Sequence, residues 1–384
     1  MAMKVGFDAK RAFRNFTGLG NYSRNIMELL MRDFPNDTYV AYAPSVPLKR
    51  AVGFVESNPG LVIKYPHSGL WKRLSSLWRS FGITGQLEKD HIDIYHGLSG
   101  ELPFNIRNAR NVKKVLTVHD LIFLRFPNCY KPFDRFIYNL KFRKSCQNAD
   151  LVIAISECTK RDIMEFYGIA EEKIRVVYQG CDASFGVLQS SEQLNAVRKK
   201  YSLPEQYILN VGTLEERKNV MLAVKALPSL PPNVSLVMVG RHTPYTDKVM
   251  QYARETGVAD RILEIGNADF RDLPAIYRLA TVFVYPSRYE GFGIPILEAL
   301  NSRVPVIAAT GSCLEEAGGP DSIYVNPDDA DAMAGQLNRL LNDPDLRSQM
   351  AAKGWLWAQQ FGESLTATAI HDCYESLTKK NTNQ

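Results

Sequence analysis

Six cysteines are scattered over 384 residues, with no CxxC pair and no histidine cluster near them. That spacing excludes structural zinc and a dense disulfide framework, and predicts a reduced, cytoplasmic chain. No apolar run approaches the roughly 18 residues of a membrane-spanning helix. Met1 to Asp8 enters a strand-like stretch without the basic, apolar and small segments of a signal peptide. A GxxxxGK[ST] phosphate loop is missing, as is any carboxylate cluster apparent enough to hold a metal. Charge of one sign is also scarce: the net is +5, from 46 basic and 41 acidic residues. Nothing in that balance calls for a nucleic-acid partner.

What is present is ordinary globular material, 45% hydrophobic and 23% charged. At about 100–200 residues per domain, the length predicts two domains. Short apolar runs recur: Lys4–Phe7, Tyr39–Tyr42, Leu61–Tyr65, Ile92–Tyr95, Lys114–Val118, Leu151–Ile155 and Arg175–Tyr178. A second series holds Tyr207–Val211, Ser235–Val239, Ile262–Ile265, Val282–Tyr285 and Val304–Ala308. Stretches of helical spacing separate many of them, among them Leu19–Phe34, Cys158–Tyr167, Asn219–Leu227, Thr246–Thr256 and Leu273–Ala280. Continuous apolar strands between helices predict parallel sheets covered on both faces, an α/β fold. The Gly- and Ser-bearing segment Gln179–Pro204 is the linker candidate. Two doubly wound domains are expected at 1–182 and 190–360, followed by a helical, amphipathic Trp355–Leu377.

Four stretches carry chemistry. In Tyr285–Val306, Glu290 sits in a turn with Gly291 and Gly293 after a strand, and Pro295 opens a helix that holds Glu298. A helix N-terminus and glycine amides suit an anion, and a nearby carboxylate can accept from sugar hydroxyls. In Ile208–Val220, a strand ends at Gly212 and leads to Glu215, Glu216, Arg217 and Lys218, with Asn219 placed to cap the next helix. Such a basic pair faces the ligand crevice of an open sheet and can neutralise a diphosphate. His119 and Asp120 follow the strand of VLTVHDL. Gly18 and Gly20 begin a GxGxxG-like loop that has Ser23 where the third glycine belongs. No acid ends the second strand, which disfavours a nicotinamide site.

Taken together, these stretches resemble the retaining GT-B glycosyltransferases of family GT4. The matching pieces are TGLGNY (17–22), TVHDL (117–121), ISECTK (155–160), QGCD (179–182), VGTLEERKN (211–219) and EGFGIPILEA (290–299), with SCLEEAGG (312–319) and YVNPDD (324–329) downstream. The resemblance covers nearly the whole chain. It implies two Rossmann-like domains, with the last helix, about 362–378, packing back on the first. It implies a nucleotide-sugar donor, GDP- or UDP-linked, as a substrate with no metal or other cofactor. Arg217 and Lys218 would then hold the diphosphate, and Glu290 the donor sugar. The amides of Phe292, Gly293 and Ile294 would meet sugar and phosphate, with Gly212 and Gly291 also in the substrate-binding set. Glu298 would bind the ribose, His119 with Asp120 would face the sugar, and Gly18 and Gly20 would admit the phosphates. The flavour is that of mannosyltransferases using GDP-mannose on a glycan or lipid-linked acceptor in surface polysaccharide or O-antigen assembly. UDP-glucose users share the same motifs. Thr213, Gln179 and Arg303 stand where many members have Arg, Asn and Gly. Two other readings remain open: a glycosidase using Glu290 and Glu298, and a non-catalytic nucleotide-sugar binder.

Gly69–Ile83 reads as one basic amphipathic helix with Leu70, Trp71, Leu74, Leu77, Trp78 and Phe81 on a single face. Such a helix suits peripheral membrane contact. The charge divides unevenly: residues 1–185 hold 27 basic and 18 acidic side chains, and residues 186–384 hold 19 and 23. The basic half is the one the resemblance assigns to the acceptor.

Overall fold

The computed structural model describes residues 2–66 and 69–379. Thirteen strands are seen among them. β1 (Lys4–Asp8), β2 (Thr38–Tyr42), β3 (Val62–Lys64), β4 (Ile94–Gly97), β5 (Lys113–Val118), β6 (Leu151–Ala154) and β7 (Ile174–Val176) form one sheet. β8 (Tyr207–Val211), β9 (Ser235–Val239), β10 (Ile262–Ile265), β11 (Val282–Tyr285), β12 (Val306–Ala309) and β13 (Ile323–Val325) form the other. The first runs in the order β3-β2-β1-β4-β5-β6-β7 and the second β10-β9-β8-β11-β12-β13. All pairings are parallel. Each sheet therefore changes winding direction once, between β1 and β4 and between β8 and β11.

The chain forms two compact units. One runs to Tyr178 and takes in the chain from Glu363 on; the other is Gln179–Gly362. In the first, Val5, Phe7, Ile94, Val115 and Ile153 face a core that includes Ile26, Met27 and Leu30 of the helix Gly18–Asp33 and Ile370 and Tyr374 of the helix Glu363–Thr378. Val40, Tyr42, Tyr95, Leu116 and Val152 fill the opposite face. In the second unit, Ile208, Leu236, Met238, Val282, Val284 and Ile307 pack against the helices Met221–Ala226 and Ala330–Asn342. Strands buried on both faces read as unbroken apolar runs, which is why nearly all were visible in the sequence.

Four local expectations need correction. The segment 69–83 is not one helix: Gly69–Arg73 ends at Leu74, and a short turn, Ser75–Leu77, and a wide turn, Trp78–Gly82, lead into the helix Ile83–Lys89. Trp78 is buried, and Arg79 forms ion pairs with Asp8 and Glu101 at 2.7 and 2.8 Å. The side chain of Leu70 lies outside the described set. The linker candidate contains the helix Ser191–Tyr201, where Ser190 and Gln193 make a reciprocal cap. The stretch read as one helix from Trp355 breaks at Gln359–Phe361, before Gly362. β13 was missed, because three residues on a sheet edge give no period to read.

Candidate active site

The switch point between β8 and β11 is where an open parallel sheet leaves a crevice at its carboxyl edge. Both charged loops of the second unit rise there. After β8, Gly212 adopts φ 143°, and a side chain on it would meet the stem of Lys218 at 3.3 Å. Glycine thus lets the backbone turn while Lys218 folds back over it. Asn219 does not cap the next helix. It takes φ 55°, and its amide nitrogen donates to the carbonyls of Pro286 and Pro327 at 3.2 and 2.7 Å. The side chain ties the β8 loop to the β11 loop. That use of Asn was not visible from its place before a helix.

After β11, the loop from Pro286 to Gly293 brings Glu290 onto Lys218 and Arg217. Its Oε1 accepts from Ser287 Oγ at 2.8 Å and from Tyr285 Oη at 3.0 Å. The same oxygen lies 3.0 Å from Arg217 NH1 and 3.1 Å from Lys218 Nζ. Burial alone would raise the carboxyl, but Lys218, Arg217 and the Ser287 hydroxyl outweigh it and hold Glu290 down at about 2. Lys218 is raised despite burial, through Tyr285 and Glu290, and donates to Tyr285 Oη at 2.8 Å. Arg217 also reaches Glu215 at 2.6 Å and the Tyr289 carbonyl. Two cations, Arg217 and Lys218, share the interior carboxylate Glu290, and the more exposed Glu215 pairs with Arg217 from the side. Tyr285 and Ser287, which sequence reasoning passed over, supply the hydroxyls that orient Glu290.

Glu298 occupies the helix Ile294–Asn301, whose first turn holds Pro295. Tyr277 Oη donates to its Oε2 at 2.6 Å, yet burial dominates and lifts the carboxyl to about 7. Gly293 precedes the helix at φ 124°, and a Cβ there would press on Leu314 and Ala317 at 3.2 and 3.3 Å. The buried Cys313 thiol contacts the carbonyls of Glu290 and Phe292, each at 3.0 Å, and so fixes the Gly291–Gly293 loop from below. Arg303, standing where the resemblance leads one to expect glycine, sits at φ 59°, a backbone state glycine adopts without strain.

His119, Asp120, Gly18 and Gly20 belong to the first unit. His119 Nε2 faces the Leu98 carbonyl at 3.0 Å, which can only accept, so in the neutral ring Nε2 carries the proton and Nδ1 is the acceptor. Desolvation pushes this imidazole down to about 4. Its ring stands perpendicular to that of Tyr22, with centroids 4.5 Å apart. Behind Tyr22 runs a buried chain unread in the sequence: Thr117 Oγ1 stands 3.4 Å from Tyr22 Oη and 2.8 Å from His96 Nε2, and His96 Nδ1 is 2.6 Å from Tyr374 Oη. Asp120 accepts from the Ile122 amide at 3.1 Å. Gly20 serves packing, since a Cβ there would fall 1.8 Å from the Asn15 carbonyl oxygen; around Gly18 there is open space.

The family described as "Glycosyl transferases group 1" matches residues 195–357, which contain all of the second-unit cluster, and "Glycosyltransferase Family 4" matches residues 17–185. The chain belongs to the group 1, family 4 glycosyltransferases. This glycosyltransferase is 28% identical to an O-antigen chain mannosyltransferase B of Escherichia coli, over 98% of its own length and 100% of the relative. It is 27% identical to the serotype-specific mannosyltransferase WbdA of the same species, over 75% of the chain but only 36% of that longer protein. Among solved structures, Anabaena HepE in complex with UDP and glucose superposes with a TM-score of 0.76 at 16% identity, covering 97% of this chain and all of the other. That likeness concerns the GT-B fold. No helix among the described residues is long and apolar enough to cross a membrane.

Proposed function

We propose that this glycosyltransferase moves a hexose, mannose from GDP-mannose, onto a glycan or lipid-linked acceptor of the O-antigen type, with retention and without a metal. The observation that carries the reading is the Lys218–Glu290–Arg217 cluster at the β8/β11 switch point. Its two cations, Lys218 and Arg217, would receive the diphosphate and stabilise the negative charge that grows on the leaving group. Glu290, ionised and held through Oε1, keeps its other oxygen clear of those contacts, for donor sugar hydroxyls. Glu298 would accept from the ribose, and Arg217 would act largely by orienting Glu290. From the first unit, His119 would offer Nδ1 to the sugar. No protein nucleophile is assigned; the donor phosphate would take the acceptor proton as the new bond forms on the same face. The choice of mannose rests on the two relatives named as mannosyltransferases. A lipid-linked acceptor would place the work at the cytoplasmic face of a membrane.

The test is a panel of GDP- and UDP-sugars scored by thermal stabilisation and then by transfer, with and without EDTA. The reading expects GDP-mannose to stabilise most and transfer to survive chelation. Preference for a UDP-sugar would overturn the donor. Cleavage of simple glycosides without nucleotide would make the protein a glycosidase, and stabilisation without turnover on any acceptor would make it a binder.

A further inference from the structure

The helix Pro132–Asn148 carries two apolar stripes where one would suffice for packing. The inner stripe is Tyr138, Phe142, Ser145 and Cys146: Tyr138 and Phe142 pack on Phe123 with ring centroids 6.0 and 5.3 Å apart, Ser145 Oγ accepts from the Leu102 amide, and Cys146 is buried. On the opposite side, at spacings of three and four, lie Phe133, Phe136 and Leu140, which remain 73%, 63% and 50% exposed. Lys144 continues that row, and its ammonium sits 5.1 Å over the ring of Phe104. Phe104 in turn stacks on Phe81 at 5.6 Å, and the Trp71 ring lies against Gly82. Trp71, Leu74, Leu77 and Phe81 are each 39–47% exposed. The exposed apolar face of the helix and the exposed residues of 71–81 are thus connected through Lys144, Phe104 and Phe81.

The helix is basic. Residues 131–148 hold five Lys or Arg and a single acid, Asp134. Among the described residues, Lys131, Arg143 and Lys144 make no ion pair. Scattered exposed apolar side chains need no explanation, but an exposed apolar row along one helix, linked to a second exposed apolar group, does. An anionic partner with an apolar interior matches both properties.

We propose that these faces dock the enzyme on an anionic lipid bilayer, with Phe133, Phe136, Leu140, Trp71 and Phe81 entering the interface and Lys131, Arg143 and Lys144 meeting headgroups. The bound element is therefore broader than the 69–83 segment, and its main part is the helix Pro132–Asn148. The proposal does not depend on which sugar is transferred.

The test is co-sedimentation of the full chain with phosphatidylcholine vesicles, plain or with one lipid in three replaced by phosphatidylglycerol. Binding is expected only with the anionic lipid, and it should weaken as salt is raised. Phe133→Ser with Phe136→Ser should lower the partition coefficient roughly tenfold or more, and Arg143→Glu with Lys144→Glu should do so at low salt. Both pairs lie on the surface, so melting temperature and nucleotide-sugar binding should match the parent. Absence of sedimentation at low salt, or unchanged sedimentation in both variants, overturns the proposal. So does a concentration-dependent dimer abolished by Phe133→Ser with Phe136→Ser in the absence of lipid, which would assign these faces to a second copy of the chain.

Discussion

Lys218 Nζ lies 3.1 Å from Glu290 Oε1, joining a loop after β8 to a loop after β11 across 72 residues of sequence. That contact couples the position of the carboxylate to that of the cation. Lys218→Ala should lower kcat/KM by about 10²–10³-fold, the loss expected for one preorganised charge on a leaving group. Lys218→Arg should recover little, because a planar guanidinium does not replace a point charge folded over Gly212. Steady-state transfer kinetics check both.

Arg217→Met should separate orientation from direct binding. Its guanidinium is shared among Glu290, Glu215 and the Tyr289 carbonyl. If it chiefly orients Glu290, kcat falls at least tenfold while donor affinity changes less. Donor titration calorimetry alongside kinetics gives the split.

Glu298 predicts a pH dependence. Its folded-state value, about 7, stands above the ordinary carboxylate value of 4.5. The group's contribution to stability is full below about 4.5 and is lost as pH rises through 7, where ionisation in a buried site becomes costly. Glu298→Gln should flatten the urea-unfolding stability of the protein between pH 5 and 8. An unchanged slope would show that Glu298 titrates normally.

Arg79→Met should cost about 3–5 kcal/mol, because it strands the buried Asp8 and leaves Glu101 with Lys141 at 3.6 Å. Lys72→Met, seven residues earlier on the exposed side, should change stability by about 0.5 kcal/mol or less. Denaturant unfolding of the two variants measures the difference.

Tyr374→Phe should destabilise by about 1–3 kcal/mol, since it leaves the buried His96 Nδ1 without its hydroxyl partner. Hydrogen exchange should show the helix Glu363–Thr378 opening sooner, with the second unit unaffected.

Much of the fold was legible because buried parallel strands are apolar without interruption, and Tyr207–Val211, Ser235–Val239, Ile262–Ile265 and Val282–Tyr285 appear with the bounds read from sequence. Glu290, Arg217 and Lys218 were legible as a type of chemistry at strand ends. Their mutual contact was not, because it depends on which two strands neighbour each other. Ser287 and Tyr285 look like strand-end residues until the loop folds back. His96 was invisible, since a lone histidine inside an apolar strand gives no sign of the Tyr374 hydroxyl 278 residues away. The 69–83 segment was misread in part: the helical spacing was real, but the chain breaks at Leu74, and the contacts that bury Trp78 and pair Arg79 with Asp8 and Glu101 lie far away in sequence.

The most direct measurement is calorimetric titration of GDP-mannose into the wild-type chain and into Lys218→Ala. The account predicts saturable binding by the first and at least tenfold weaker binding by the second, with both chains melting as folded proteins. Equal affinity in the two would contradict the assignment of the Lys218–Glu290–Arg217 cluster to the donor diphosphate.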